Sequence, residues 1–284
     1  MSKYMYIIER SMCLLEIKEF DSLNKVINNV QFKILEHGYV QTGKEWNFSQ
    51  VCSPFNRLYL VISGSGAVKD DNNSMNLQKG NMYLIPLHHT CDYSCDDALE
   101  KFYIHFRLEL IPGHDLFENY GYFSSRPVEP GLAESLIQKA QNGRISDFIY
   151  CKSVLLDCVS RFLEPYADKL NEHMKVSNDY IHVYDYIVNH CYADLRVKDI
   201  EEHFGIPSGS LSKTFKKDTG YTLKRFIDSK VVQKAQEKLL VTDLPVKDIA
   251  YDLKFSDEFH FSSFFKRHVG LAPNKYRQRN NLYK

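Results

Sequence analysis

The sequence predicts an α+β protein of two domains: an N-terminal β-barrel or jelly roll with following helices, and a C-terminal domain made only of helices. Two observations lead to this prediction. Between residues 56 and 106, short apolar or alternating bursts are separated by Gly, Pro and Asp-Asn turns, which is typical of antiparallel strands. In the last third, apolar residues recur at helical spacing and a short pattern occurs twice. A chain of 284 residues is long enough for two separate cores.

Three segments form the predicted strands: NRLYLVISGSGAV from residue 56, GNMYLIPLHHTCDYSC from residue 80 and KFYIHFRLEL from residue 101. The sequence DDNN at 70–73 is the clearest hairpin tip. Gly64 and Gly66 favour a bulge or a sharp bend inside a strand. Strands joined by such tight turns predict a small antiparallel barrel.

Helical spacing returns between residues 130 and 170. Leu132, Leu136 and Ala140 predict one helix. A second helix is indicated by five apolar residues: Val154, Leu155, Cys158, Val159 and Phe162. The polar segment 164–179 then predicts a linker to the last domain.

The repeated pattern consists of VKDI, which starts at Val197 and again at Val246, followed by FKKDTG at 215–220 and FKRHVG at 265–270. Each copy predicts a short helix, a tight turn and a second helix, which is the helix-turn-helix signature. The first turn lies at Gly205, a residue suited to a left-handed cap, and the second at residues 254–256. The second helix of the first copy is expected to start at Pro207 and Ser208, and that of the second copy at Asp257.

A single amphipathic helix is predicted between the two copies, in TLKRFIDSKVVQKAQEKLL at 222–240. Its apolar residues recur every four positions, at Leu223, Ile227, Val231, Ala235 and Leu239. About 19 helical residues span about 28 Å, and successive major grooves on one side of B-DNA lie about 34 Å apart. The pattern therefore predicts two DNA-reading helices held in adjacent grooves. A helical bundle that binds no nucleic acid is the alternative.

The overall composition bounds these interpretations. Net charge is zero, but residues 171–284 hold 19 Lys and Arg against 15 Asp and Glu, so the last domain is mildly basic. No apolar run is long enough for a membrane span, and Glu9, Arg10, Glu16 and Lys18 interrupt any secretory signal. We therefore expect a cytoplasmic protein, in which seven unevenly spaced cysteines are reduced thiols.

The C-terminal third resembles a known family. IAYDLKFSDEFHFSSFFKRHVGLAPNKYR is similar to the C-terminal signature of AraC/XylS-type transcription regulators, and DIEEHFGIPSGSLSKTFKKDTGYTLKRFI resembles the first helix-turn-helix of that family. The resemblance implies sequence-specific binding of double-stranded DNA. The residues that would meet base edges are Gly209, Ser212, Lys213, Phe259, His260 and Ser263. The residues that would meet phosphates are Lys216, Lys217, Lys266 and Arg267.

Two positions depart from the family pattern. Lys254 stands where the second turn usually has glycine, and a left-handed residue with a side chain costs about 1 kcal/mol. Phe259 and Ser263 replace positions that are commonly polar or arginine. Phe259 can only touch a thymine methyl group or pack on sugar. The second motif is therefore expected to read shape, or less sequence than the first.

The predicted strands also carry a resemblance. LYLVISGSGAVKDDNNSMNLQKGNMYLIP resembles the cupin-like sensor domain found ahead of many AraC-type DNA-binding domains. Metal cupins have a Glu and a final His where this chain has Arg57 and Cys91, so no metal or other cofactor is expected. A barrel without a metal is still a natural pocket for a small-molecule effector, for which sugars are the family precedent. The candidate lining residues are Trp46, Arg57, His88 and His105. Each has a structural alternative. Trp46 would fill the core, and Arg57 would form a surface ion pair. His88 would be solvated in a loop, and His105 would be a hydrogen-bonded core residue.

The expected organisation is an effector-sensing cupin-like domain at 1–125, a helical dimerisation and linker region at 126–172, and a double helix-turn-helix domain at 173–284. The resemblance implies a homodimeric regulator with operator DNA, an effector and, for an activator, RNA polymerase as partners. One alternative is a cupin-fold enzyme, such as a sugar isomerase or dioxygenase, with a helical appendage. Another is a constitutive regulator whose barrel serves only for dimerisation.

Overall fold

A computed structural model describes residues 30–118, 120–166, 180–219 and 221–280. The first 29 residues and most of the predicted linker at 164–179 lie outside the described residues. The predicted α+β division is confirmed: strands dominate the N-terminal half, and the C-terminal part is helical.

The described residues of the N-terminal domain contain nine strands. They are β1 (Gln31–Thr42), β2 (Phe48–Val51), β3 (Asn56–Lys69), β4 (Ser74–Gln78), β5 (Asn81–Ile85), β6 (Cys91–Ser94), β7 (Leu99–Ile111), β8 (His114–Asp115) and β9 (Ser124–Pro127). The main sheet has the order β1-β7-β3-β5-β9, and every pair is antiparallel. The far end of β3 pairs with β4 and β6, and β6 pairs with β2, so these four strands close over the other face.

Strand β3 bends between the two layers where sequence analysis placed a bulge. Its register against β7 shifts between Val61 and Ser63, and Gly64 has a φ of 73°. A Cβ at Gly64 would lie 2.0 Å from the Ala98 carbonyl oxygen, so only glycine fits there. The hairpin tip predicted at 70–73 joins β3 to β4, and the Asp70 carboxylate accepts hydrogen bonds from the backbone of Asn72 and Asn73.

The first half of β3 and most of β7 are buried on both faces. Leu58 and Leu60 of β3 join the apolar cluster beneath the helices, whereas Tyr59 and Val61 face the space between the two layers. The helices on the outer face are α1 (Leu132–Asn142) and α2 (Ile145–Leu163), followed by a 3-10 turn at Glu164–Tyr166. The two helices predicted after the barrel are thus confirmed. Their residues Leu136, Val159 and Phe162 pack on the sheet.

Seven helices follow in the described C-terminal residues. They are α3 (Ile181–Asn189), α4 (Val197–His203), α5 (Ser210–Thr219), α6 (Leu223–Val241), α7 (Val246–Asp252), α8 (Glu258–Val269) and α9 (Pro273–Asn280). Helix α5 begins two residues later than the predicted start at Pro207 and Ser208, because the chain first turns there, with Ser210 donating to the Pro207 carbonyl.

Helix α6 is the predicted connection between the two copies, and we call it the connecting helix. It is uninterrupted over 19 residues, and its predicted apolar stripe is fully buried. Its start is capped by Thr222, whose hydroxyl accepts a hydrogen bond from the Arg225 backbone.

The two turns of the repeated motif have the same backbone. Gly205 and Lys254 are both left-handed, with φ of 63° and 58°. In the first turn, Ile206 and Gly205 donate to the carbonyls of Glu201 and Glu202. In the second, Phe255 and Lys254 donate to those of Ala250 and Tyr251. Both are Schellman motifs, so the sequence repeat is a structural repeat.

Candidate nucleic-acid interface and sensor barrel

Helix α5 presents one basic face to solvent. Leu211 and Phe215 point into the core, while Lys213, Lys216 and Lys217 are exposed and Ser212 is half-buried. The two lysines at 216 and 217 lie in the last helical turn. Long cationic side chains at an exposed helix end suit contacts to phosphate.

Gly209 lies one residue before helix α5. Its φ is 78°, and its backbone N–H donates to a carboxylate oxygen of Glu201 at 3.0 Å. No atom lies within 4 Å of a Cβ built at this glycine, so a side chain would have room there. The left-handed backbone, not crowding, is therefore what favours glycine at this position. The position is exposed at the entrance to the helix.

Helix α8 begins with a strong cap. Asp257 accepts a hydrogen bond from the His260 backbone at 2.7 Å, and Ser256 bonds both the Asp257 carboxylate and the His260 ring. The predicted inward residues of this helix are buried: Phe261, Phe264 and Phe265. The predicted outward ones are exposed: Phe259, His260, Ser263, Lys266 and Arg267. Phe259, at 85% exposed, is the most exposed large apolar side chain in the described part of the chain.

The barrel interior contains a cluster of aromatic and cationic side chains. Trp46 packs edge-on against Tyr59 and Tyr93, with ring centroids 6.2 and 5.3 Å away. The Lys101 ammonium lies 3.4 Å from the centroid of the Trp46 ring and 3.9 Å from that of Tyr59. Burial lowers the pKa of Lys101 well below its usual value, and the charge of Arg57 adds to the effect.

Arg57 and His105 extend this cluster toward the helical domain. Arg57 donates to the Ser53 hydroxyl and to the Tyr93 hydroxyl at 3.4 Å. His105 pairs with Glu36 at 2.8 Å, but burial still lowers its pKa to about 4. Both side chains contact Phe55. The His105 ring stacks on the Phe55 ring with centroids 4.5 Å apart, and the Arg57 guanidinium lies 5.3 Å from the Phe55 centroid.

Three of the four residues predicted to line an effector site thus lie together, and one does not. Trp46, Arg57 and His105 are all buried in the barrel. His88 is instead in the exposed loop after β5, with a φ of 59° and its N–H bonded to the Ser53 carbonyl. Lys101 and Tyr59 also belong to the cluster but were not among the predicted residues, although the period-two alternation with His105 and Arg57 indicates that they face the same side.

The two domains meet along the connecting helix. The Lys230 ammonium donates to the Gly113 carbonyl in the turn between β7 and β8. Arg107 of β7 lies 3.6 Å from Glu237 of the connecting helix and 2.8 Å from Glu109. Burial lowers the pKa of Lys230 and raises that of Glu237.

Further contacts lie on both sides of this ionic group. His114 stacks on Phe226 of the connecting helix, with centroids 5.1 Å apart. At the other side, Tyr276 and Asn280 of α9 bond the backbone carbonyl and N–H of Cys52. Phe55 of the barrel belongs to the apolar core of the helical domain. The connecting helix therefore touches the barrel and, through its own core contacts, both reading helices α5 and α8.

The described residues contain neither a candidate metal site nor a candidate membrane span. No group of three or more His, Cys, Asp or Glu side chains is arranged to hold a metal ion there. In the same residues, no helix combines the length and apolarity needed to cross a bilayer.

The paired helix-turn-helix motifs behind a barrel define the class of the protein, a DNA-binding transcription regulator with a ligand-binding domain. Residues 35–151 match the family described as AraC-like ligand binding domain, and residues 200–279 match the helix-turn-helix domain. The chain belongs to the AraC type of transcription regulators.

Similar proteins agree with this assignment. The Msm operon regulatory protein of Streptococcus mutans is 22% identical over 270 residues, which cover 92% of this chain and 95% of that protein. The arabinose operon regulatory protein of Escherichia coli is 21% identical over 234 residues, 78% of this chain and 79% of that protein. ToxT from Vibrio cholerae, solved bound to (E)-4-(8-methylnaphthalen-1-yl)but-3-enoic acid, shares the fold at 16% identity and a TM-score of 0.50, covering 89% of this chain and 99% of that one.

Proposed function

We propose that this regulator is a homodimer that binds operator DNA through α5 and α8 and changes its DNA affinity when a small molecule occupies the barrel. It acts in the cytoplasm without catalysing a reaction, and it contacts RNA polymerase where it activates. The proposed boundaries are sensing at 1–125, dimerisation and linker at 126–172, and DNA binding at 173–284. The observation behind the proposal is Phe55, which contacts Arg57 and His105 on one side and the core of the helical domain on the other.

The proposed effector site is the barrel cluster of Trp46, Arg57, Lys101 and His105. Aromatic faces beside hydrogen-bonding groups suit a sugar, since apolar ring faces stack and hydroxyls find donors. The relative from Escherichia coli is named an arabinose operon regulatory protein, which supports the same choice. His88 lies in the exposed loop after β5, apart from these residues, and is not part of the proposed site.

Trp46 allows a direct test because it is the only tryptophan of the chain and is buried in the cluster. Titration with a panel of pentoses, hexoses and disaccharides should change its fluorescence for at least one sugar. The same sugar should change affinity for operator DNA. In Phe55→Leu the fluorescence change should persist while the DNA response is lost, because the contact between the domains is weakened.

Two outcomes would support the alternatives. A regulator that binds DNA equally with every sugar, and whose Trp46 fluorescence never changes, would be constitutive. Turnover of a sugar by the purified protein, together with bound metal, would favour the cupin-fold enzyme.

The proposed dimer surface is the first half of α2. Ile145 and Ile149 are 78% and 66% exposed, and Phe148 and Tyr150 also lie open. An apolar patch of this kind on a helix is typical of a surface that meets another protein, and a second copy would bury it symmetrically. Ile145→Asp with Ile149→Asp should give monomers in sedimentation at unchanged melting temperature. Dimers that persist would place the interface elsewhere.

A further inference from the structure

The reading helices α5 and α8 occupy equivalent places in the repeat, but they expose different kinds of side chain. Phe215 and Lys216 of α5 correspond to Phe265 and Lys266 of α8, which is an offset of 50 residues. By the same offset, Lys213 corresponds to Ser263 and Gly209 corresponds to Phe259. The first helix therefore has a flexible cation in the middle of its exposed face. The second has a small hydroxyl there and a large apolar ring at its entrance.

The second helix also starts earlier. Helix α8 begins at Glu258, the counterpart of Ser208, whereas α5 begins only at Ser210. Phe259 is thus held inside the first turn of a helix, fixed by the Asp257 cap. Its counterpart Gly209 is left-handed and precedes the helix. In a helix-turn-helix protein, the N-terminal residues of the reading helix are the ones that reach base edges.

The ring of Phe259 is a poor match for anything polar in a groove. It is 85% exposed, whereas the neighbouring rings of Phe255, Phe261 and Phe264 are buried. Among the groups that base pairs present in the major groove, the only apolar one is the C5-methyl group of thymine. Contact with it would remove apolar surface from water on both sides.

We propose that Phe259 reads a thymine methyl group, so that the two motifs of one chain specify different bases: a lysine-accessible guanine for α5 and a thymine for α8. This proposal rests on the DNA-binding function proposed above and extends it to base choice. The operator would then consist of two unlike elements about one helical turn apart for each protomer, not of a direct repeat like the protein motif itself.

The test begins with selection of binding sites from a random duplex library by the full chain. Each thymine of the selected duplex is then replaced singly by uracil, which removes the methyl group and leaves the pairing unchanged. One replacement in the element bound by α8 should weaken binding about fourfold, the value of one buried methyl-sized group. Phe259→Ala should bind the thymine duplex more weakly and show no difference between thymine and uracil.

The matched control is Tyr251→Ala, which removes another exposed ring of the same domain, 57% exposed on α7 outside the reading helix. It should keep the full response to uracil. Indifference of the wild-type chain to every uracil would overturn the proposal, and so would a uracil response that survives in Phe259→Ala. Selection that enriches no sequence would instead refute DNA reading by this chain altogether, and with it the role of Phe259.

Discussion

Two side chains of the same type on one reading helix can contact different parts of DNA, because they lie at different places along the helix. Lys213 and Lys216 are both exposed lysines of α5. Lys213 lies in the middle of the helix, whereas Lys216 lies in its last turn, beside Lys217. A lysine over the groove floor can reach guanine O6 and N7, while one at the helix end meets the phosphate backbone.

The first prediction separates these two roles. Lys213→Ala should cost about 1–3 kcal/mol of binding free energy on the true operator and much less on scrambled DNA. Lys216→Ala should weaken binding to both duplexes alike and lower the slope of log affinity against log salt by roughly one unit. Binding is measured on both duplexes at two salt concentrations. Equal losses for both variants on both duplexes would mean that Lys213 does not read bases.

The turn inside each helix-turn-helix motif has a left-handed position that favours glycine, and only the first copy has glycine there. The first turn uses glycine at its left-handed position, and the second uses Lys254 with the same hydrogen bonds. Lys254 has partial compensation on the surface. Its ammonium lies 4.4 Å from the centroid of the Tyr192 ring and 3.9 Å from the Asp194 carboxylate. Such exposed contacts contribute only tenths of a kcal/mol each.

The second prediction exchanges the residues of the two turns. Lys254→Gly should leave the free energy of unfolding unchanged or slightly raised, since relief of the left-handed strain offsets the lost surface contacts. Gly205→Lys should lower it by about 1 kcal/mol from strain alone, because no atom lies within 4 Å of the added Cβ. Chemical denaturation of the full chain measures both. A clear loss of stability in Lys254→Gly would show that Tyr192 and Asp194 outweigh the strain.

On the scale of the whole molecule, the contact between barrel and connecting helix decides how a signal could pass. The turn at Gly113 is inserted against the connecting helix, and its φ is 79°. A Cβ there would lie 2.9 Å from Val188 and 3.1 Å from both Lys230 and Phe226. The helix that supports both reading helices therefore packs directly on the sensor domain.

The third prediction tests whether this contact joins the domains into one cooperative unit. In Gly113→Val the turn must withdraw from the connecting helix, so thermal unfolding should split into two transitions and the DNA response to the effector should be lost. Gly121→Val is the control, because it has a similar φ of 78° with no atom within 4 Å of its Cβ. It should lower the melting temperature through strain and keep one transition. The same thermogram for both variants would contradict the prediction.

A fourth prediction concerns the contribution of the N-terminal domain to affinity. The fragment 175–284 should fold and bind operator DNA about one hundredfold more weakly than the full chain, because linkage in a dimer raises the effective concentration of the second DNA-binding domain. Affinity is compared at equal protomer concentration. Equal affinity of fragment and full chain would remove dimerisation from the mechanism.

Local patterns were enough to predict much of this protein from its sequence. The repeated VKDI segments, the stripe of the connecting helix, the left-handed position of Lys254 and the bend at Gly64 all follow from propensities and periodicities within a few turns of chain. The outward face of each reading helix follows from the same periodicity, since Leu211 and Phe215, or Phe261 and Phe265, must point inward.

Contacts between distant residues were decided only by the tertiary structure. The position of His88 in an exposed loop and the contact of Lys101 with Trp46 depend on loop closure and strand register over tens of residues, although alternation alone indicates which side of the sheet Lys101 faces. The placement of Phe55 in the core of the helical domain, and of Gly113 against Lys230, joins residues more than one hundred positions apart. Such pairings have no periodic signature, because they arise when two finished surfaces pack together, and they are the contacts that connect the barrel to the DNA-reading helices.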